Sequence, residues 1–156
     1  MKQKLLRAGF AAYALLMLWL LFFRHRGTAV TDYPAQVLEK FNLLPFSTIG
    51  YFLRRILQDP SPAVICDCIY NQGGNIAMFV PLGFFLRALV PCCRKFSRCM
   101  AAVLGIMICV ELMQALTLRG FCETDDLILN LLGAAFGFWF AGTVFPKHCT
   151  NLGIGE

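Results

Sequence analysis

The residues with chemical promise in this sequence are Asn75, Glu111, Gln114, Arg119, Asp126 and Asn130. Most lie inside or at the edge of long apolar runs, where an ionisable or amide group costs free energy and marks function by default if it faces the protein interior. Glu111 is the hardest to dismiss. It sits some seven residues, or about 10 Å, from the outer end of its run, and a carboxyl at that depth needs a paired cation or a bound proton. The spacings also place these groups on helix faces: Glu111 and Gln114 are three apart, while Asp126, Asn130, Gly133 and Gly137 form a stripe at intervals of four, three and four. Gly133 and Gly137 make a small-xxx-small pair suited to helix packing, so the polar stripe is expected to point into a bundle. Arg119, or Arg24, is placed to pair with Glu111 or Asp126. Such a set supplies carboxyls for proton transfer, amides for recognition, and a guanidinium for developing negative charge.

Each residue also has a plainer use. Asp125 or Asp126 caps a helix start, Gln114 and Asn130 act as interhelical glue, and Asn75 opens a helix. Arg24, Arg87 and Arg119 serve as interfacial anchors.

Positioning these groups requires a membrane bundle. The chain has 156 residues, 58% hydrophobic and 15% charged, an apolar excess beyond what one soluble domain of that length buries. Four spans are expected, over about 8–23, 75–93, 99–118 and 127–145, within a single domain covering 1–156. A signal peptide is disfavoured because Arg24, His25 and Arg26 occupy the place of a cleavage site. The fold class expected is all-α, an integral bundle of four transmembrane helices with an external interfacial helix between spans 1 and 2. With both termini cytoplasmic, Lys2, Lys4, Arg7, Arg87, Arg94, Lys95, Arg98 and Lys147 fall inside, concentrated in short segments. Residues 24–73 are then an external loop punctuated by Pro34, Pro45, Pro60 and Pro62. In it Ile49, Phe52, Leu53, Ile56 and Leu57 recur at helical spacing opposite Arg54, Arg55 and Gln58, with Ser47 or Thr48 as N-cap. In this topology Asn75, Glu111, Gln114, Asp126 and Asn130 share one depth near the external face.

The net charge of +5 is scattered beside apolar runs, unlike the single basic face of a nucleic-acid binder. The sequence contains no metal-binding histidine pair, nucleophile elbow or P-loop, so neither metal nor cofactor is expected. Eight cysteines in so short a chain point to a disulfide framework only in a secreted protein, and here the topology spreads them over both faces.

Glu111-Leu-Met-Gln114 followed by Arg119, Asp125-Asp126, Asn130, Gly133 and Gly137 resembles the signature of the VanZ-like family. Asn75-Ile-Ala-Met-Phe79-Val-Pro81-Leu-Gly83 is similar to that family's second-span motif, and Asn42-Leu-Leu-Pro45-Phe46 to its loop motif. The resemblance covers roughly residues 40–142 and implies a multi-pass protein of the bacterial plasma membrane. The family takes its name from a protein associated with low-level teicoplanin resistance. Carried over residue by residue, the implied functional positions are Asn75, Glu111, Gln114, Arg119, Asp126 and Asn130.

The first functional reading is an outward-facing polar pocket that binds an anionic or amide-rich headgroup of a membrane lipid, envelope precursor or lipoglycopeptide. A second is a membrane hydrolase or transferase with Glu111 or Asp126 as general base and Arg119 stabilising negative charge. Thiol exchange by Cys66, Cys68 and Cys122 is a third, weakened because Cys66-Asp-Cys68 lacks the usual two-residue spacer. Transport by four spans would require an oligomer or partner, and the oligomeric state is not legible.

Overall fold

The structure, a computed structural model, describes residues 2–23 and 32–145. Arg24, His25, Arg26, Lys147 and His148 lie outside the described residues. The order is α1 (Lys2–Phe22), α2 (Tyr33–Glu39), β1 (Phe41–Asn42), α3 (Ser47–Gln58), α4 (Pro62–Cys68), a π-helical turn (Ile69–Gly73), α5 (Gly74–Leu89), a 3-10 turn (Pro91–Arg94), α6 (Phe96–Leu116), β2 (Cys122–Glu123) and α7 (Thr124–Val144). Apart from one pair of two-residue strands, the regular structure among the described residues is helical.

Three helical stretches are long and apolar enough to cross a membrane: Gln3–Phe22, Phe96–Leu116 and Thr124–Val144. The stretch expected as a span over 75–93 is shorter. Helix α5 has 16 residues and ends at Leu89, a rise of about 24 Å. The cause is Pro91, which disfavours helical geometry at the residue before it, and Val90 is extended at φ −108° and ψ 110°.

Helices α5 and α7 form the centre of the bundle. They run in the same direction, since Ile76, Val80 and Arg87 meet Gly133, Gly137 and Phe138 in turn. Small residues on facing helices allow close backbone approach. Gly83, Gly133 and Gly137 permit it: a Cβ built on any of them would overlap a carbonyl oxygen of the facing helix, Ala134, Ile76 and Val80 respectively. Helix α1 runs opposite to α5, with Phe10 against Phe85 and the Tyr13 hydroxyl donating to the Met78 carbonyl at 2.9 Å. Met17, Phe79, Leu82, Val103, Met107 and Phe138 complete the core.

Arg87 turns toward α7. Its Nη1 donates to the Phe138 carbonyl at 2.9 Å, and its guanidinium carbon lies 4.2 Å from the centroid of the Phe138 ring. The space beside α7 exists because residue 142 is glycine, whose Cβ would collide with the guanidinium. Arg87→Met is expected to lower unfolding stability in detergent by about 1.5–3 kcal/mol, the range for a hydrogen bond to a charged group. Arg87→Lys should recover part of that loss, because the charge returns without the planar stacking surface.

The segment between α1 and α5 is tied to the turn between α6 and α7. Phe41 and Asn42 pair in parallel with Cys122 and Glu123, the Cys122 amide donates to the Lys40 carbonyl at 2.7 Å, and the Tyr33 hydroxyl donates to the Leu116 carbonyl at 2.6 Å. Helix α6 closes with a reciprocal C-cap: the Leu118 amide bonds to the Ala115 carbonyl and the Arg119 amide to that of Gln114. Position 118 takes the left-handed conformation, φ 55°, that usually selects glycine, and burial of the leucine side chain holds it there.

Candidate functional site

The site begins at the N-terminus of α3. Four amides at a helix start lack intrahelical acceptors and form the positive end of the helix dipole. Here they are met from α7: Asp125 accepts from the Phe46 amide at 2.5 Å, from Thr48 at 2.8 Å and from Ile49 at 2.9 Å. Asp125 is 1% exposed. Glu123 adds a bond from the Thr48 hydroxyl at 2.7 Å. Helix α3 is thereby pinned across the end of the bundle where α6 finishes and α7 begins.

Under α3 lies a cavity of about 320 Å³. Its walls include the amides of Asn71, Gln72, Asn75 and Gln114 and the carboxyls of Glu123 and Asp126. Thr48, Phe52 and Phe121 close it from the α3 side and from the α6–α7 turn. The π-helical turn widens the backbone so that Asn71 and Gln72 reach the same space as Asn75. Asn75 Nδ2 donates to Asp126 at 2.5 Å, joining α5 to α7. Among the described residues, no lysine or arginine lines this cavity.

Of the residues singled out by sequence, Asn75, Gln114 and Asp126 share the cavity wall. Glu111 lies behind it, 3% exposed, accepting from the Glu123 amide at 3.3 Å and close enough to Glu123 and Asp126 for mutual repulsion. Asn130 is one helical turn beyond Asp126, 4% exposed, and its Oδ1 has no hydrogen-bond partner among the described residues. Glu111 and Asn130 are therefore both enclosed by protein. Arg119 departs from expectation. Its Nη1 donates to the Phe22 carbonyl and its guanidinium lies over the Phe23 ring, so it pairs with neither carboxyl. The attraction of a helix C-terminus for a cation explains this: Arg119 and Gln114, whose Nε2 donates to the Leu21 carbonyl at 2.9 Å, together finish α1. Arg24, the other expected partner, is outside the described residues.

A family model described as VanZ/LLP1 matches residues 10–145. The chain belongs to the VanZ/LLP1 family. Neither the curated proteins nor the solved structures gave a match. Within this VanZ/LLP1 domain the sequence blocks acquire physical meanings. Asn42-Leu-Leu-Pro45-Phe46 forms β1 and the turn that delivers the Phe46 amide to Asp125. The Asn75–Gly83 block supplies one cavity amide and, at Ile76, Val80 and Gly83, three points of close backbone contact with α7.

Sequence reasoning missed Asp125, Glu123, Thr48, Asn71 and Gln72. Asp125 was weighed as a cap for its own helix, and no local pattern indicates that it caps another 79 residues away. Asn71 and Gln72 were legible only as neighbours of Asn75. The seven described cysteines are free, and burial, followed by the neighbouring Glu111 carboxyl, pushes the Cys122 thiol up and away from the thiolate. Among the described residues, no group of three His, Cys, Asp or Glu is arranged to hold a metal.

Proposed function

We propose that this VanZ/LLP1 protein is a four-span protein of the bacterial cell envelope, with both termini cytoplasmic, whose cavity opens outward and binds an amide-rich, amine-bearing headgroup. The observation that carries the reading is the lining itself: among the described residues, four side-chain amides and two carboxyls line one space and no lysine or arginine does. Amides offer paired donors and acceptors to peptide groups, and the carboxyls favour an ammonium over a phosphate. Of the ligand classes considered, the peptide portion of an envelope precursor or of a lipoglycopeptide fits better than a purely anionic headgroup. Contribution to teicoplanin tolerance is the corresponding cellular role.

Support for four alternating spans comes from α1 running opposite to α5 while α5 and α7 share a direction. Helix α5 is the short span, thinning the bilayer locally or supported by the helical run from Pro62 that precedes it. Helix α3 then lies at the outer interface, with its Leu53 and Leu57 side chains exposed. Glu111 positions β2 through the Glu123 amide and does not itself touch ligand.

The test is binding of a fluorescent teicoplanin to the purified chain in nanodiscs, paired with tolerance of a bacterial host expressing it. Asp126→Asn is expected to weaken binding about tenfold, one charge-assisted contact, and to return tolerance to the empty-vector level with unchanged membrane abundance. Equal binding and tolerance for Asp126→Asn and Asn75→Ala would sink the pocket reading.

A further inference from the structure

We propose that the basic face of α3 is a second site, for the phosphate of an anionic membrane phospholipid. Ser47, Tyr51, Arg54, Arg55 and Gln58 follow intervals of four, three, one and three, which gather them on one side of the helix. They line a surface hollow of about 400 Å³, separate from the amide cavity. A guanidinium presents a planar fork of donors that matches a phosphate, and two adjacent ones supply both charge and direction. Arg55 is held in place by Asp67 at 3.2 Å, with 39% of its side chain still exposed. Arg54, Tyr51 and Gln58 are exposed beside it.

A lipid is favoured over a soluble anion by what stands next to the hollow. Phe46, Leu53 and Leu57 are 63%, 57% and 75% exposed, and Leu44 reaches 73%. A helix that shows bare apolar side chains on one flank and guanidiniums on the next is built for an interface, where acyl chains cover the first and headgroups meet the second. Charge separates the two sites: the flank of α3 bearing Thr48 and Phe52 faces the acidic cavity, which repels phosphate, while the neighbouring flank bearing Tyr51, Arg54 and Arg55 attracts it. This inference rests on the placement of α3 at the membrane surface given above.

The experiment uses the full chain in detergent and in nanodiscs of phosphatidylglycerol or phosphatidylcholine, with retained lipid counted by native mass spectrometry. Wild type is expected to retain phosphatidylglycerol selectively. Arg54→Gln should reduce that preference about fivefold and the double change with Arg55→Gln about twenty-five-fold, from one surface charge each, while Arg54→Lys keeps most of it. Teicoplanin binding should be untouched by these changes, as phosphatidylglycerol retention should be by Asp126→Asn. Unchanged selectivity in the double variant, or displacement of the lipid by inorganic phosphate at equal concentration, overturns the lipid site and leaves the amide cavity standing. The added fluorescence of Leu57→Trp, read against wild type, should be quenched by brominated lipid. Its failure to respond would remove α3 from the interface and this inference with it.

Discussion

Gly137→Leu is expected to leave no folded protein in detergent, and Gly137→Ala to unfold about 1–3 kcal/mol more easily than wild type, the usual cost of forcing a methyl into a closed interface. The neighbour that a new Cβ would strike is the Val80 carbonyl, part of a helix backbone and unable to rotate aside. Gly133 meets Ile76 in the same way one turn earlier, and Gly83 meets Ala134 from the other helix. Relief therefore requires α5 and α7 to separate along their shared face, which also opens the Asn75–Asp126 bond at the cavity. Gly142→Ala provides a contrast, since its obstacle is the end of the flexible Arg87 side chain. Thermal unfolding followed by size-exclusion chromatography separates these cases. A Gly137→Leu protein that melts like wild type would mean that α5 and α7 are not backbone neighbours.

The glycine stripe was legible because its spacing is a property of one helix. The same holds for Glu111: a carboxyl deep in an apolar run is visible in any sequence. Its partner was not, because charge rules point to Arg119, whereas the structure answers Glu111 with the backbone amide of Glu123 and gives Arg119 to the carbonyls ending α1. Likewise, the apolar period of α3 predicts the helix, and Ser47 or Thr48 is the natural N-cap by residue type. The observed N-cap is Phe46, in the left-handed region at φ 62° with no side-chain cap of its own. An acceptor brought from α7 makes a local cap unnecessary. Where local chemistry and tertiary contacts answer the same need, a single sequence shows only the local option.

That exchange sets the second large effect. Asp125→Asn, though nearly isosteric, is expected to undock α3 almost as completely as Asp125→Ala. The native carboxyl presents acceptors to three amides at once, with Oδ2 serving Thr48 and Ile49 and Oδ1 serving Phe46. An asparagine replaces one oxygen with an NH₂ group that faces donors and cannot accept from them. The buried cap is worth about 2–4 kcal/mol, above an ordinary exposed N-cap because the acceptor is charged and shielded from water. The outcome differs in kind from that of Gly137→Leu. The α5–α7 interface stays closed and global unfolding of the bundle changes less, whereas amide exchange at Thr48 and Ile49 accelerates by roughly two orders of magnitude. Losing α3 also removes Thr48 and Phe52 from the cavity wall, so teicoplanin binding should fall with the exchange protection. If Asp125→Asn kept slow exchange at those two amides, the carboxyl would not be what holds α3 against α7, and the cavity beneath it would need another roof.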